Sequence, residues 1–174
     1  MKITHRLLIL ALATSILSGC ASESPATKRT DQDYAAHMAI PSDNLIVPGD
    51  RVGPVFLGML DTDLYKRMGE PNRSFTYQEG ETAGTTVYTY GGLSVYVFPD
   101  HRVRYVYIGS GYRTQEGAAL GTSQLALRAE LGDPAWTVLF HPDIGQWKNC
   151  YDKGLVITLT NGAVDGLVVV PPGC

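Results

Sequence analysis

A set of punctuating residues occurs twice in this chain, and the second occurrence keeps the spacing of the first. Leu57-Gly58, Leu64, Met68-Gly69 and Pro71 recur as Leu120-Gly121, Leu127, Leu131-Gly132 and Pro134 at one constant offset. Further on, Gly92-Leu93-Ser94-Val95-Tyr96-Val97 parallels Gly154-Leu155-Val156-Ile157-Thr158-Leu159, and Val103 with Val106 parallels Val164 with Leu167. The offset slips there by a residue or two, as short hairpin insertions would cause. A fold made from this sequence has to use one structural unit twice.

Each copy opens with a helix signal. Asp61 or Thr62 in the first, and Thr122 or Ser123 in the second, offer side-chain oxygens to the free N–H groups of a helix start. Leu64 with Met68, and Leu127 with Leu131, lie one turn apart on a shared apolar side. Gly69 and Gly132 suit the residue that ends a helix, and Pro71 and Pro134 prevent its resumption. Segments rich in Tyr, Val, Thr and Phe follow: 73–79, 85–90, 93–98 and 103–108 in the first copy, then 136–140, 146–151, 155–160 and 164–170 in the second. Asn161-Gly162 is a strong tight-hairpin signal. The expected class is α+β: two tandem helix-plus-antiparallel-meander repeats forming one curved sheet with helices on one face.

The stretch Val55-Phe56-Leu57-Gly58-Met59, with Leu64, Gly69 and Pro71, resembles the Gly-Met…Leu-Gly-x-Pro signature of the SmpA/OmlA (BamE) lipoproteins. Those are small outer-membrane components associated with β-barrel assembly. The tandem arrangement is similar to the β-lactamase inhibitory protein architecture, which uses two helix-plus-sheet units. The resemblances cover nearly all of residues 53–170 and imply a fold more than an activity.

The N-terminus sets the expected location. Lys2 and Arg6 precede an apolar run from Leu7 to Leu17 that is too short to span a bilayer, and Leu17-Ser18-Gly19-Cys20 follows. This resembles the bacterial lipobox, which implies a signal peptide over residues 1–19 and diacylglycerol with a further acyl chain, such as palmitate, on Cys20. The competing reading is an ordinary secretory peptide that contains a cysteine. Ala21 stands where an aspartate would retain the protein at the inner membrane, so an outer-membrane anchor facing the periplasm is favoured. Residues 20–47 lack apolar periodicity and read as a flexible tether. The first repeat is then expected over 48–112 and the second over 113–174. Losing Lys2 and Arg6 takes the formal charge from −3 to about −5. There is no basic stripe, which argues against nucleic acid as a partner. With Cys20 committed to lipid, Cys150 and Cys174 are expected to form a disulfide in an oxidising compartment. The alternative is two free thiols.

Catalytic chemistry needs a nucleophile or paired titrating groups with an orienting partner, and no such set is visible. His101 and His141 adjoin Asp100 and Asp143 in expected turns. They would bind a metal only if the two halves met there, so no metal or cofactor is expected. Glu79 and Glu81 read as solvated loop charges. Trp136 and Trp147 are expected to pack in the core between the halves. If Leu93, Val95 and Val97 face the helices, alternation turns Tyr96 and Phe98 outward. Val103, Val106 and Ile108 can all point inward only with a bulge, which leaves Arg104, Tyr105 and Tyr107 outward beside them. Tyr, Phe and Arg concentrated on an open sheet are the residue types of binding hot spots, although cross-strand stacking alone explains them too.

The expected function is a non-enzymatic, protein-binding envelope lipoprotein, an assembly factor or accessory subunit with an envelope protein partner. One alternative is an inhibitor of a periplasmic or foreign enzyme (a β-lactamase, protease or lysozyme) that inserts the loop at 79–85 or 141–146. Another is a small-ligand carrier or envelope enzyme with a deep pocket.

Overall fold

The computed structural model describes residues 43–173, so Cys20, the signal segment, most of the expected tether and Cys174 lie outside the described residues. Each repeat opens on an eight-residue helix, α1 (Asp61–Met68) and α2 (Gln124–Leu131). Leu64 and Leu127 are each helix's fully buried side chain, with Met68 and Leu131 packed partly buried beside them. Ser123 caps α2 by accepting from the Ala126 N–H at 3.2 Å. The first copy differs from expectation: Leu60 is the capping position and makes no side-chain bond, while Asp61 is the first helical residue. The Asp61 carboxylate instead bonds His101 Nδ1 at 2.9 Å and accepts from the Thr62 N–H at 2.7 Å. Gly69 and Gly132 close both helices at φ 73° and 80°, as their sequence positions require.

The expected α+β class does not hold. Among the described residues twelve strands stand against two short helices, and they form two sheets. The larger has eight antiparallel strands: β4 (Arg73–Thr76), β5 (Thr86–Tyr90), β6 (Leu93–Val97), β7 (Val103–Ile108), β12 (Ala163–Val169), β11 (Leu155–Thr160), β10 (Gln146–Tyr151) and β9 (Trp136–His141), in that spatial order. The smaller sheet, which the sequence reading lacks altogether, runs β3 (Val55–Phe56), β2 (Arg51–Val52), β1 (Leu45–Val47), β8 (Arg113–Thr114). The fold is therefore mostly β. The physical reason is helix length. Two turns of helix present one or two apolar side chains each, too little to cover eight strands, and the smaller sheet supplies Ile46, Val52, Val55 and Phe56 to the same core.

The smaller sheet also changes the domain picture. β1 falls inside the stretch expected to be tether, and it pairs antiparallel with β2 and parallel with β8, at the junction between the repeats. Arg51 holds this corner through two hydrogen bonds to the Asp43 carboxylate, at 2.8 and 3.0 Å. That guanidinium keeps the Asp43 carboxyl below its ordinary range. The two halves of the large sheet meet where β7 pairs with β12, Val106 opposite Val169 and Ile108 opposite Leu167. Those four side chains are buried, so the seam lies in the core.

Candidate functional site

Alternation along β6 and β7 divides their side chains cleanly. Leu93, Val95, Val97, Val103, Val106 and Ile108 are buried under the helices and the smaller sheet. The bulge this requires is present: Tyr96 pairs with Tyr105 and Val97 with Val103, which makes Arg104 the extra residue. The second half carries the same irregularity, with Thr158 opposite Gly166, Leu159 opposite Val164, and Asp165 as the extra residue. One residue of the repeat thus points outward from each half, an arginine in the first and an aspartate in the second.

The five residues singled out from sequence come together on the outward face. Tyr96 and Tyr107 lie 5.1 Å apart between ring centroids, and Phe98 meets Tyr105 edge-on at 5.5 Å. Arg104 sits over the Phe98 ring at 5.8 Å and is fixed from behind by Asp100 at 2.5 Å. Tyr107 is 48% exposed and Arg104 is exposed, while Tyr96, Phe98 and Tyr105 are half-buried. Burial and a hydrogen bond with the Tyr77 hydroxyl push the Tyr96 phenol up to about 12. Burial likewise raises Tyr107. The Tyr107 hydroxyl stays protonated at neutral pH and can donate to a carboxylate or carbonyl on an incoming surface, whereas the Tyr96 hydroxyl is engaged with Tyr77.

Sequence reasoning missed two members of this face. Phe75 pairs with Val87, and Val87 with Tyr96, so Phe75, Val87, Tyr96 and Tyr105 form one row across four strands. Val87 is buried on this outward side, between the flanking rings. Tyr77 joins through an edge-on contact with Phe75 at 5.2 Å. The signal was available in the alternation of 73–77, where Phe75 and Tyr77 share a parity.

The corresponding face of the second half is polar. Asp165 accepts from Gln146 Nε2 at 2.7 Å and from the Thr160 hydroxyl, with Thr158 as a third donor. Burial opposes ionisation, but these donors outweigh it and hold the Asp165 carboxyl below its ordinary value of 3.8. A depressed folded value means stability that is present above pH 3.8 and lost as pH falls through the lower folded value. Asp165→Asn is therefore expected to melt a few degrees below wild type at pH 7, with the difference closing as the pH drops below 3.8. Thermal melts across that range check it.

The remaining candidates separate. His101 lies in the β6–β7 turn against Asp61, whereas His141 ends β9 with its ring 4.3 Å from Phe140. Among the described residues no three His, Cys, Asp or Glu side chains are grouped as metal ligands. Trp136 and Trp147 are not core residues: they are 39% and 45% exposed, on the two strands that end the large sheet among the described residues. Cys150 is fully buried on the outward side of β10. Two depressions are open and shallow, one of about 310 Å³ beside Tyr107 and Ser94 and one of about 470 Å³ lined by Asp43, Tyr112 and Arg113.

The chain matches no family profile, and no curated protein matches it by sequence. Among solved structures it is similar to a DUF4309 family protein (YjgB) from Bacillus subtilis subsp. subtilis str. 168, with 18% identity, TM-score 0.45, and coverage of 64% of this chain and 78% of that one. It is also similar to a cysteine-rich secretory protein (SAV1118) from Staphylococcus aureus subsp. aureus Mu50, with 13% identity, TM-score 0.46, and coverage of 75% of this chain and 49% of that one. The chain thus spans about half the length of the second. Neither structure is a BamE or β-lactamase inhibitory protein.

Proposed function

We propose that this chain is a non-enzymatic envelope lipoprotein, anchored to the outer membrane through Cys20, that binds another envelope protein with the aromatic face of β4 to β7. The observation that carries the reading is the arrangement of Tyr96, Phe98, Arg104, Tyr105 and Tyr107 as paired rings with a pinned guanidinium on an outward sheet face. Tyrosine and arginine held in place before binding lose little side-chain entropy on contact, which is the property of hot-spot residues. Leu17-Ser18-Gly19-Cys20 supports the anchor, and a lipid on a tethered domain would keep this face near envelope partners.

The same reading pairs Cys150 with Cys174. The Gly173 N–H donates to the Asp152 carbonyl at 2.9 Å, which brings the last described residue beside the turn that follows Cys150.

The test is a photo-reactive residue placed at position 107 of the full chain in its native envelope. A discrete cross-linked protein is expected there, and none from position 125, where Leu125 is 82% exposed on α2 away from the face. Equal labelling from both positions, or labelling of lipid alone, would remove the support for a protein-binding face.

A further inference from the structure

The β4–β5 and β9–β10 hairpins occupy the same place in the two repeats, each following a helix and its glycine stop, yet they differ in chemistry. Between β4 and β5 the chain reads Gln78-Glu79-Gly80-Glu81-Thr82-Ala83-Gly84, exposed throughout. β4 itself holds Arg73, Ser74 and Thr76 around one ring at Phe75. Between β9 and β10 it reads Pro142-Asp143-Ile144-Gly145, also exposed throughout, with Val138, Leu139 and Phe140 before it and Trp147 after it. The first copy builds its hairpin without such an apolar set, so pairing in the sheet does not require the second to have one.

The area of this set is ordinary for a monomer; its distribution is what selects an occupant. Val138 lies opposite Lys148 on one face of the hairpin, and Leu139 lies opposite Trp147 on the other. Phe140 is the extra residue of the bulge, with Lys148 Nζ 5.5 Å from its ring centroid. Ile144 stands in the turn. These five apolar side chains are 40–52% exposed. A protein strand added to an edge covers one side of a hairpin, whereas a fluid apolar medium encloses both faces and the tip. Tryptophan and phenylalanine beside a lysine are also interfacial residue types: the rings sit at headgroup level and the ammonium reaches phosphate along its apolar stem. Asp143 and His141 at the same turn limit the depth to the headgroup boundary, about 5–10 Å.

We propose that the β9–β10 hairpin dips into the surface of a lipid bilayer, with Val138, Leu139, Phe140, Ile144 and Trp147 at the boundary between headgroups and acyl chains and the Lys148 ammonium at lipid phosphate. The chain's formal charge is −3, so apolar contact and not net charge supplies the attraction, and zwitterionic lipid is the surface it fits. The proposal adds to the protein-binding reading and shares with it only the anchor at Cys20. β9 and β4 end the strand order on opposite sides. A body held to the bilayer at β9 and β10 keeps the β4 end of its aromatic face away from the lipid and open to a partner.

Tryptophan fluorescence tests it, because Trp136 and Trp147 are the chain's two indoles. The full chain carrying Trp136→Phe, with Trp147 as sole reporter, is isolated from its own membrane and reconstituted in phosphatidylcholine vesicles brominated on the acyl chains next to the headgroup. Flotation reports the anchor, and quenching reports the hairpin. Trp147 emission is expected to shift to the blue and to fall by roughly half against unbrominated vesicles, as for an indole at interfacial depth. Phe140→Asp and Ile144→Asp, at exposed sites where the variants should melt as their parent does, should each lose most of that quenching and still float. Leu125→Asp, on α2 at a site 82% exposed, should keep it. A chain that floats with Trp147 unquenched overturns the proposal and leaves the anchor standing, which is also the result if a protein is the hairpin's true occupant. A chain that does not float overturns both. Equal quenching in the parent and both hairpin variants overturns the assignment to this hairpin.

Discussion

Alanine in place of Gly154 is expected to lower the thermal midpoint by about 10 °C or more, a loss of about 3 kcal/mol or greater. Two costs add at this position. Gly154 sits at φ +91°, in the region that L side chains rarely adopt. An added Cβ would also lie 2.6 Å from Gly49 Cα and closer still to the Val170 carbonyl oxygen, and backbone cannot swing aside as a side chain can. The crowding has a structural cause: the Gly154 carbonyl accepts from both Gly49 and Val170 N–H groups at 3.1 Å, tying the β1–β2 turn and the end of β12 to one hairpin. Gly162→Ala is the comparison. Its φ is +75° with nothing within 4 Å, so only the conformational cost of about 1 kcal/mol applies. Equal melting of the two variants would show that the junction is not tightly packed.

Cys174→Ser is expected to cost about 3 kcal/mol, the cross-link contribution for a loop of roughly 25 residues. Closing this short loop would restrain the unfolded chain and hold Pro171-Pro172-Gly173 against the 152–154 turn, where Gly173 and Val170 already donate to Asp152 and Gly154. Urea midpoints should fall together for Cys174→Ser and for wild type under reductant. If the substitution leaves the midpoint unchanged, the pairing is wrong.

Local features were legible in the sequence because local chemistry determines them. Asn161-Gly162 forms its hairpin with both residues at positive φ, 53° and 75°. Ser123 caps, Leu64 and Leu127 are buried, and the bulge that frees Arg104 follows from where Val103, Val106 and Ile108 must point. What failed was nonlocal. β1, β2, β3 and β8 are two or three residues long, too short to show periodicity, so the second sheet and the mostly β class were invisible. The tryptophans were misread because burial was inferred from residue type, whereas exposure depends on which strand ends the sheet. A comparison of the two copies carried the missing hint. The apolar set Trp136, Val138, Leu139 and Phe140 corresponds to a polar strand in the first repeat, so the second edge is not interchangeable with the first.

The proposed binding role requires the face of β6 and β7 to act as a contact surface. Its most direct measurement is the affinity of the protein cross-linked from position 107 for the full chain carrying Tyr107→Ala or Arg104→Ala, with Leu125→Ala as the reference. Each of the two face variants should bind at least ten-fold more weakly, about 1.4 kcal/mol or more, while melting like wild type because both side chains are exposed. Wild-type affinity in both variants, or a loss seen only where the domain itself has melted, would contradict the assignment.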